Sequence, residues 1–167
     1  MISPEIIRRF PIFAKLENEQ IDTLAKLSEQ VPANPGDVLF KEGDKLEKFY
    51  LVAKGAVAIF IEVPADEAAG DIAGQLTREM AMDEVVTSTV GTGELFGSSA
   101  LIPPYEATAS AKALDTTCSL IAFDATKLID MFEEDCRFGY LMIQKAAQVL
   151  RERMRDLRIE SLSCVEK

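Results

Sequence analysis

The chain has 167 residues, 48% of them apolar and 28% charged, with 28 acids against 18 bases for a net charge of −10. It contains no histidine, which excludes Ser-His-Asp and Cys-His catalysis, His-ligated zinc and histidine pH switching. The length suits one domain, or one domain with a long terminal helix, and the acidic surface argues against nucleic-acid binding because it repels phosphate backbones.

Residues 1–30 read as helical. In the run ENEQIDTLAKLSEQ, Ile21, Leu24, Ala25 and Leu27 form one apolar stripe at three- and four-residue spacing. Asn18 is the expected N-cap, and Pro32 and Pro35 are expected to end the block.

Residues 31–123 read as β. Short runs rich in Val, Ile, Phe and Thr (VLF, KFYLVA, AVAIFIEV, VVTSTV, ATASAKA and CSLIAF) are separated by glycine-containing turns such as Gly36-Asp37, Gly43-Asp44 and Lys54-Gly55. Many short strands at this spacing predict a sandwich or jelly roll. Within the block, residues 62–84 differ: seven acids stand against one base, Arg78. That segment reads as a long acidic hairpin excursion with a short helix near Ile72–Met82, solvated by default.

Residues 124–167 complete the chain and read as helical to about residue 162. Asp124 is the expected N-cap of ATKLIDMFEED, and Gly139 is expected to mark a break and to serve as a hinge. Tyr140, Ile143, Ala147, Leu150, Met154 and Leu157 follow at spacings of 3, 4, 3, 4 and 3, the a/d pattern of a short coiled-coil seam. A second stripe, Leu141, Ala146 and Val149, faces elsewhere and suits packing on the β block. The narrow seam favours a homodimer, although Arg153 and Arg158 would then oppose each other as like charges.

Cys118, Cys136 and Cys164 are odd in number and widely separated, which fits reduced thiols in a cytoplasmic protein better than a metal site. The residues after Met1 include Pro4, Glu5, Arg8 and Arg9 and do not read as a signal peptide. The most apolar region, Phe49 to Val63, is interrupted by Lys54, Gly55 and Glu62, so no membrane span is expected. No nucleophile–base pairing, metal-ligand cluster or Walker loop is present in the pattern, and Glu133-Glu134-Asp135 reads as a solvated helix end. Neither catalysis nor a cofactor is therefore expected.

The stretch GDVLFKEGDKLEKFYLVAKGAVAIF, residues 36–60, resembles the cyclic-nucleotide-binding domain family, the sensor domains of cyclic-AMP receptor regulators and of kinase regulatory subunits. Gly36-Asp37, Leu39-Phe40, Glu42-Gly43-Asp44, Phe49-Tyr50-Leu51-Val52 and Gly55-x-Val57 carry the resemblance. It extends to GELFGSSALIPPYEATASAKAL, residues 93–114, which is similar to the family's phosphate-binding cassette. The resemblance implies a mainly β jelly roll with N-terminal helices and a long C-terminal lid and dimerisation helix, with no helix-turn-helix following in this sequence. It also places a candidate pocket at Phe96, Gly97, Ser98, Ser99, Ala100 and Leu101, and across the strand that holds Tyr105, Ala107, Thr108, Ala109 and Ser110.

Two substitutions depart from that pattern. In the family the cassette glutamate accepts a hydrogen bond from the ribose 2′-hydroxyl, and here the position is Ser98. The cassette arginine pairs with the cyclic phosphate; alternative registers put Ala107 or Tyr105 there, and neither is a cation. Loss of a charge-assisted partner weakens binding by about tenfold to hundredfold or more. Backbone N–H groups of the short helix at Ser98, the hydroxyls of Ser98, Ser99 and Thr108, and an arginine of the last helix (Arg151, Arg153, Arg155 or Arg158) are the remaining phosphate donors; those arginines also read as a solvated basic helix end.

Three functions are consistent with these residues. One is a regulatory module with degenerate cyclic-nucleotide recognition that acts through contacts with a separate protein partner. The second is a sensor of a different small-molecule ligand, and the third a nucleotide sensor with substitute phosphate contacts.

Overall fold

The computed structural model describes residues 1–64, 82–114 and 117–165, with side chains as far as Arg158. Helices α1 (Pro4–Arg8) and α2 (Asn18–Lys26) lead into β1 (Ser28–Ala33), β2 (Val38–Phe40), β3 (Lys48–Lys54) and β4 (Val57–Pro64). Then come β5 (Met82–Val90), β6 (Leu95–Phe96), a 3-10 turn at Ser98–Leu101, β7 (Ser110–Ala113) and β8 (Cys118–Asp124), closed by α3 (Ala125–Glu134) and α4 (Cys136–Val165).

The strands form two four-stranded sheets, ordered β1-β8-β3-β6 and β2-β7-β4-β5, and every pair is antiparallel. This is the mainly β jelly roll with flanking helices expected from the sequence. Its core is aromatic where the first sheet meets the helices: Phe49 stacks on Phe123 at 4.9 Å between ring centroids, and Phe13 meets Phe123 edge-on at 5.8 Å. A second group, Phe40, Tyr50 and Phe96, stacks at 5.1–6.2 Å and fills the end of the barrel behind the cassette segment. Burial pushes the Tyr50 phenol above its ordinary value, with Lys48 pulling the other way.

Several local expectations change. The helical block stops at Lys26, because Ser28–Ala33 pairs with β8 from Ser28↔Phe123 to Ala33↔Cys118. Pro32 lies inside β1 instead of ending a helix; β1 is an edge strand, so one missing N–H is tolerated there. The residue preceding α2 is Glu17 and not Asn18, and the Glu17 N–H donates to the Gln20 side chain at 3.1 Å. The strand expected over ATASAKA is regular only from Ser110 to Ala113. Most of the acidic excursion, and the helix expected near Ile72, lie outside the described residues. Its flanks pair as β4 and β5 down to Pro64↔Met82.

Asp124 caps α3 as expected, accepting from the Lys127 backbone N–H at 3.1 Å and from Thr126 Oγ1 at 2.7 Å. Burial alone would raise its carboxyl, but hydrogen bonds from the Lys127 and Thr126 side chains and the Lys127 backbone outweigh it and hold the pKa at about 2. The unfolded chain therefore binds this proton first, from its ordinary value of 3.8. The resulting stabilisation, reduced by solvent screening to about 1 kcal/mol, is present above about pH 4 and is lost as pH falls through about 2. Asp124→Ala is expected to cost about 1–2 kcal/mol at neutral pH, with the gap to wild type closing on acidification; urea titrations at several pH values measure this.

Gly139 is not a break. It lies in the second turn of α4, and the chain reverses four residues earlier, at Asp135, whose carboxylate accepts from Phe138 N–H at 3.0 Å and from Gln20 Nε2 at 2.9 Å. The missing side chain at 139 lets α4 approach α3: a Cβ there would sit 2.8 Å from Phe132 Cβ. Gly139→Ala must push the helices apart and is expected to lose about 1–3 kcal/mol, seen as a melting temperature several degrees lower.

Helix α4 then runs along the barrel. Phe138, Met142 and Ala146 are buried, and Val149 of the second stripe packs partly against the core. Lys145, also buried, donates from Nζ to the Ile12 carbonyl and so ties α4 to the N-terminal segment; burial pushes its ammonium below the ordinary value, with Lys15 adding to the effect. No helix among the described residues is long and apolar enough to cross a membrane.

Candidate functional site

The cassette segment begins with a reversal at Gly97. Its φ is +69°, a region that favours glycine, and a Cβ there would meet Tyr50 Cδ2 at 3.4 Å and Phe40 Cε1 at 3.5 Å. The reversal opens the four-residue 3-10 turn Ser98–Leu101. Within the turn the Ala100 N–H donates to the Gly97 carbonyl at 3.0 Å.

The chain from Ala107 to Ala109 lines the same cavity as the turn. Both backbone polar groups of Ala107 are taken, its N–H by the Asp44 carbonyl and its carbonyl by the Gly43 N–H, each at 2.8 Å. What remains at this position is a methyl group. The cavity lies between the two segments, under α4, and measures about 430 Å3, a size that suits a small-molecule ligand.

Seven of the expected pocket residues line this cavity: Gly97, Ser98 and Ser99 from the turn, Ala107, Thr108 and Ala109 from the strand side, and Arg153 from α4. The others lie elsewhere. Phe96 is fully buried in the aromatic stack, and Ala100 and Leu101 belong to the core. The Ser110 hydroxyl is buried and accepts from the Glu42 N–H at 2.9 Å. Tyr105 is 36% exposed, has a φ of +65° and does not line the cavity, so of the two registers it is Ala107 that faces the site.

Sequence reasoning had not assigned the far wall, made by Phe40, Leu46, Ile59, Ile61 and Thr87. The signal was present in β4, where Val57, Ile59 and Ile61 alternate on one face. Nor had it placed Leu150, Met154 and Leu157 of the seam over the cavity, as its roof.

Arg153 is the charged side chain of the cavity lining. One guanidinium N–H donates to the Leu95 carbonyl at 3.0 Å. Burial pushes its pKa below the ordinary value and the nearby Glu94 carboxylate pushes it back up. Glu94 itself accepts from the Gly91 N–H at 2.6 Å. No metal-binding group of three or more acidic or sulfur ligands occurs among the described residues.

A family model, the cyclic nucleotide-binding domain, matches residues 30–135. Among curated proteins, the cyclic AMP receptor protein of Thermus thermophilus is 29% identical over 162 residues, an alignment covering 93% of this chain and 63% of the relative. The chain thus spans under two thirds of that relative's length. Among solved structures, a protein of Geobacter metallireducens to which cyclic-nucleotide binding is ascribed is 28% identical, with a TM-score of 0.73 and coverage of 92% of this chain and 99% of that one. The catabolite activator protein of Thermus thermophilus is 26% identical, with a TM-score of 0.63 and coverage of 92% and 63%.

Proposed function

Because the chain belongs to the cyclic nucleotide-binding domain family, we propose that it is a non-catalytic, cytoplasmic regulatory module whose cyclic-nucleotide recognition is degenerate and whose output runs through protein contacts. The observation that supports this reading is the cavity wall at Ala107 and Ser98, which carries a methyl and a hydroxyl where phosphate and ribose need a guanidinium and a carboxylate. Calorimetric titration with cyclic AMP, cyclic GMP and cyclic di-GMP tests it. No submicromolar affinity is expected for any of them, and one such affinity overturns the reading.

The contact surface is the seam of α4, which carries a homodimer and passes the state of the barrel to a separate protein partner. Tyr140, Ile143, Ala147, Leu150, Met154 and Leu157 are exposed, Tyr140 at 63% and Met154 at 58%. An apolar stripe at heptad spacing is better covered than hydrated. Leu150→Asp is expected to convert a dimer into a monomer in sedimentation. Wild type and variant both monomeric would leave the seam as the cavity roof alone.

The persistence of a cavity of about 430 Å3 favours a second reading, a sensor of a different small ligand.

A further inference from the structure

The cavity beneath α4 is mostly apolar but not neutral. Its sheet wall carries Ile59 and Ile61, its roof Leu150 and Met154, and no carboxylate lines it. Arg153 brings one positive charge into that space. It makes no ion pair among the described residues, and its guanidinium is anchored by the hydrogen bond to the Leu95 carbonyl. A guanidinium has five N–H donors in a planar fork, so donors remain for a bidentate oxyanion. Glu94 acts on the guanidinium from nearby without reaching ion-pair distance, so a carboxylate placed against this half-buried cation would add a direct charge-assisted contact.

We propose that this cavity takes an amphipathic monocarboxylate, its carboxylate paired with Arg153 and its apolar body lying along Ile59, Ile61 and the underside of α4. The proposal rests on the degenerate-recognition reading and names the ligand class that the remaining chemistry suits. Charge count argues for a single negative charge. On the other side of Arg153 a smaller recess of about 130 Å3 is lined by Glu94, Glu152 and Asp156, so a dianion would meet an excess of negative charge. Polarity argues for an apolar body. A ribose and a purine bring many donors and acceptors that need partners. The cavity offers the hydroxyls of Thr87, Ser98, Ser99 and Thr108, and the Thr87 hydroxyl already donates to the Ile59 carbonyl at 3.2 Å.

The test is calorimetric titration of the whole chain with octanoate, 4-phenylbutyrate and indole-3-acetate, each paired with its neutral primary amide. The expected result is that at least one acid binds wild type at least about tenfold more tightly than its amide, and that Arg153→Met reduces this preference to about onefold. Arg153→Lys, which keeps the charge and so guards against a folding defect in the methionine variant, should retain part of the preference. No binding by any acid, equal binding of acids and amides, or a preference that survives Arg153→Met overturns the proposal. A cyclic AMP titration of the same sample separates the two claims. Submicromolar binding there defeats the degenerate-recognition reading whatever the acids do. In its absence, the acid–amide comparison alone decides whether the cavity takes a carboxylate.

Discussion

A chain carrying both Ser98→Glu and Ala107→Arg is expected to bind cyclic AMP at least about a hundredfold more tightly than wild type. The two positions line one cavity, and they are where the family resemblance places the ribose and phosphate contacts. Each charge-assisted hydrogen bond contributes about 1.5–3 kcal/mol, so two supply about 3–6 kcal/mol, or roughly 10²- to 10⁴-fold. Part is lost because the new guanidinium shares the cavity with Arg153, and the new carboxylate offsets that repulsion. Ala107→Arg alone should gain less, since it adds the second cation without the anion. Calorimetry on the three chains measures the series. A gain below about tenfold in the double variant would mean that the wild-type cavity already holds an adequate phosphate partner, and the degenerate-recognition reading would fall.

Phe96→Ala is expected to lower the unfolding free energy by about 3–5 kcal/mol, the cost of emptying a well-packed aromatic site. Phe96 is fully buried, stacked 5.1 Å from Tyr50 and 6.1 Å from Phe40. For a domain of this size the loss corresponds to a melting temperature lower by roughly 10–15 °C. Because Gly97 packs against Tyr50 and Phe40, the cavity behind the turn should distort as well. A loss under about 1 kcal/mol in denaturant titration would show that the stack does not hold the cassette segment in place.

The β-rich middle was legible because its strands are short runs of β-branched and aromatic residues between glycine turns, a pattern set by local sterics. The strand β1 was not, since SEQVPA holds one β-branched residue and a proline; it is a strand because β8 offers it an unpaired edge, which is a tertiary fact. Gly139 misled for a related reason. Within a helical run a glycine signals either a break or a close approach, and the Phe132 side chain that decides between them is seven residues away on another helix. At the site, the absence of cassette cations was readable from residue types alone. The position of Arg153 was not. Five arginines share the last helix, four of them between residues 151 and 158, and helical phase selects Arg153 only once the barrel shows which face of α4 it meets. The apolar stripe was visible as a heptad, yet its second role over the cavity depends on where α4 crosses the sheets.

That shared stripe ties two equilibria together. Leu150, Met154 and Leu157 are touched from below by whatever occupies the barrel and are open from above to whatever covers the helix. An occupant that shifts these three side chains alters how well the outer face fits a neighbour. Thermodynamic reciprocity then requires the neighbour to alter the occupant's affinity by the same factor. Under the proposed covering of α4, these three side chains, one helical turn apart, are the shared element through which that coupling would run.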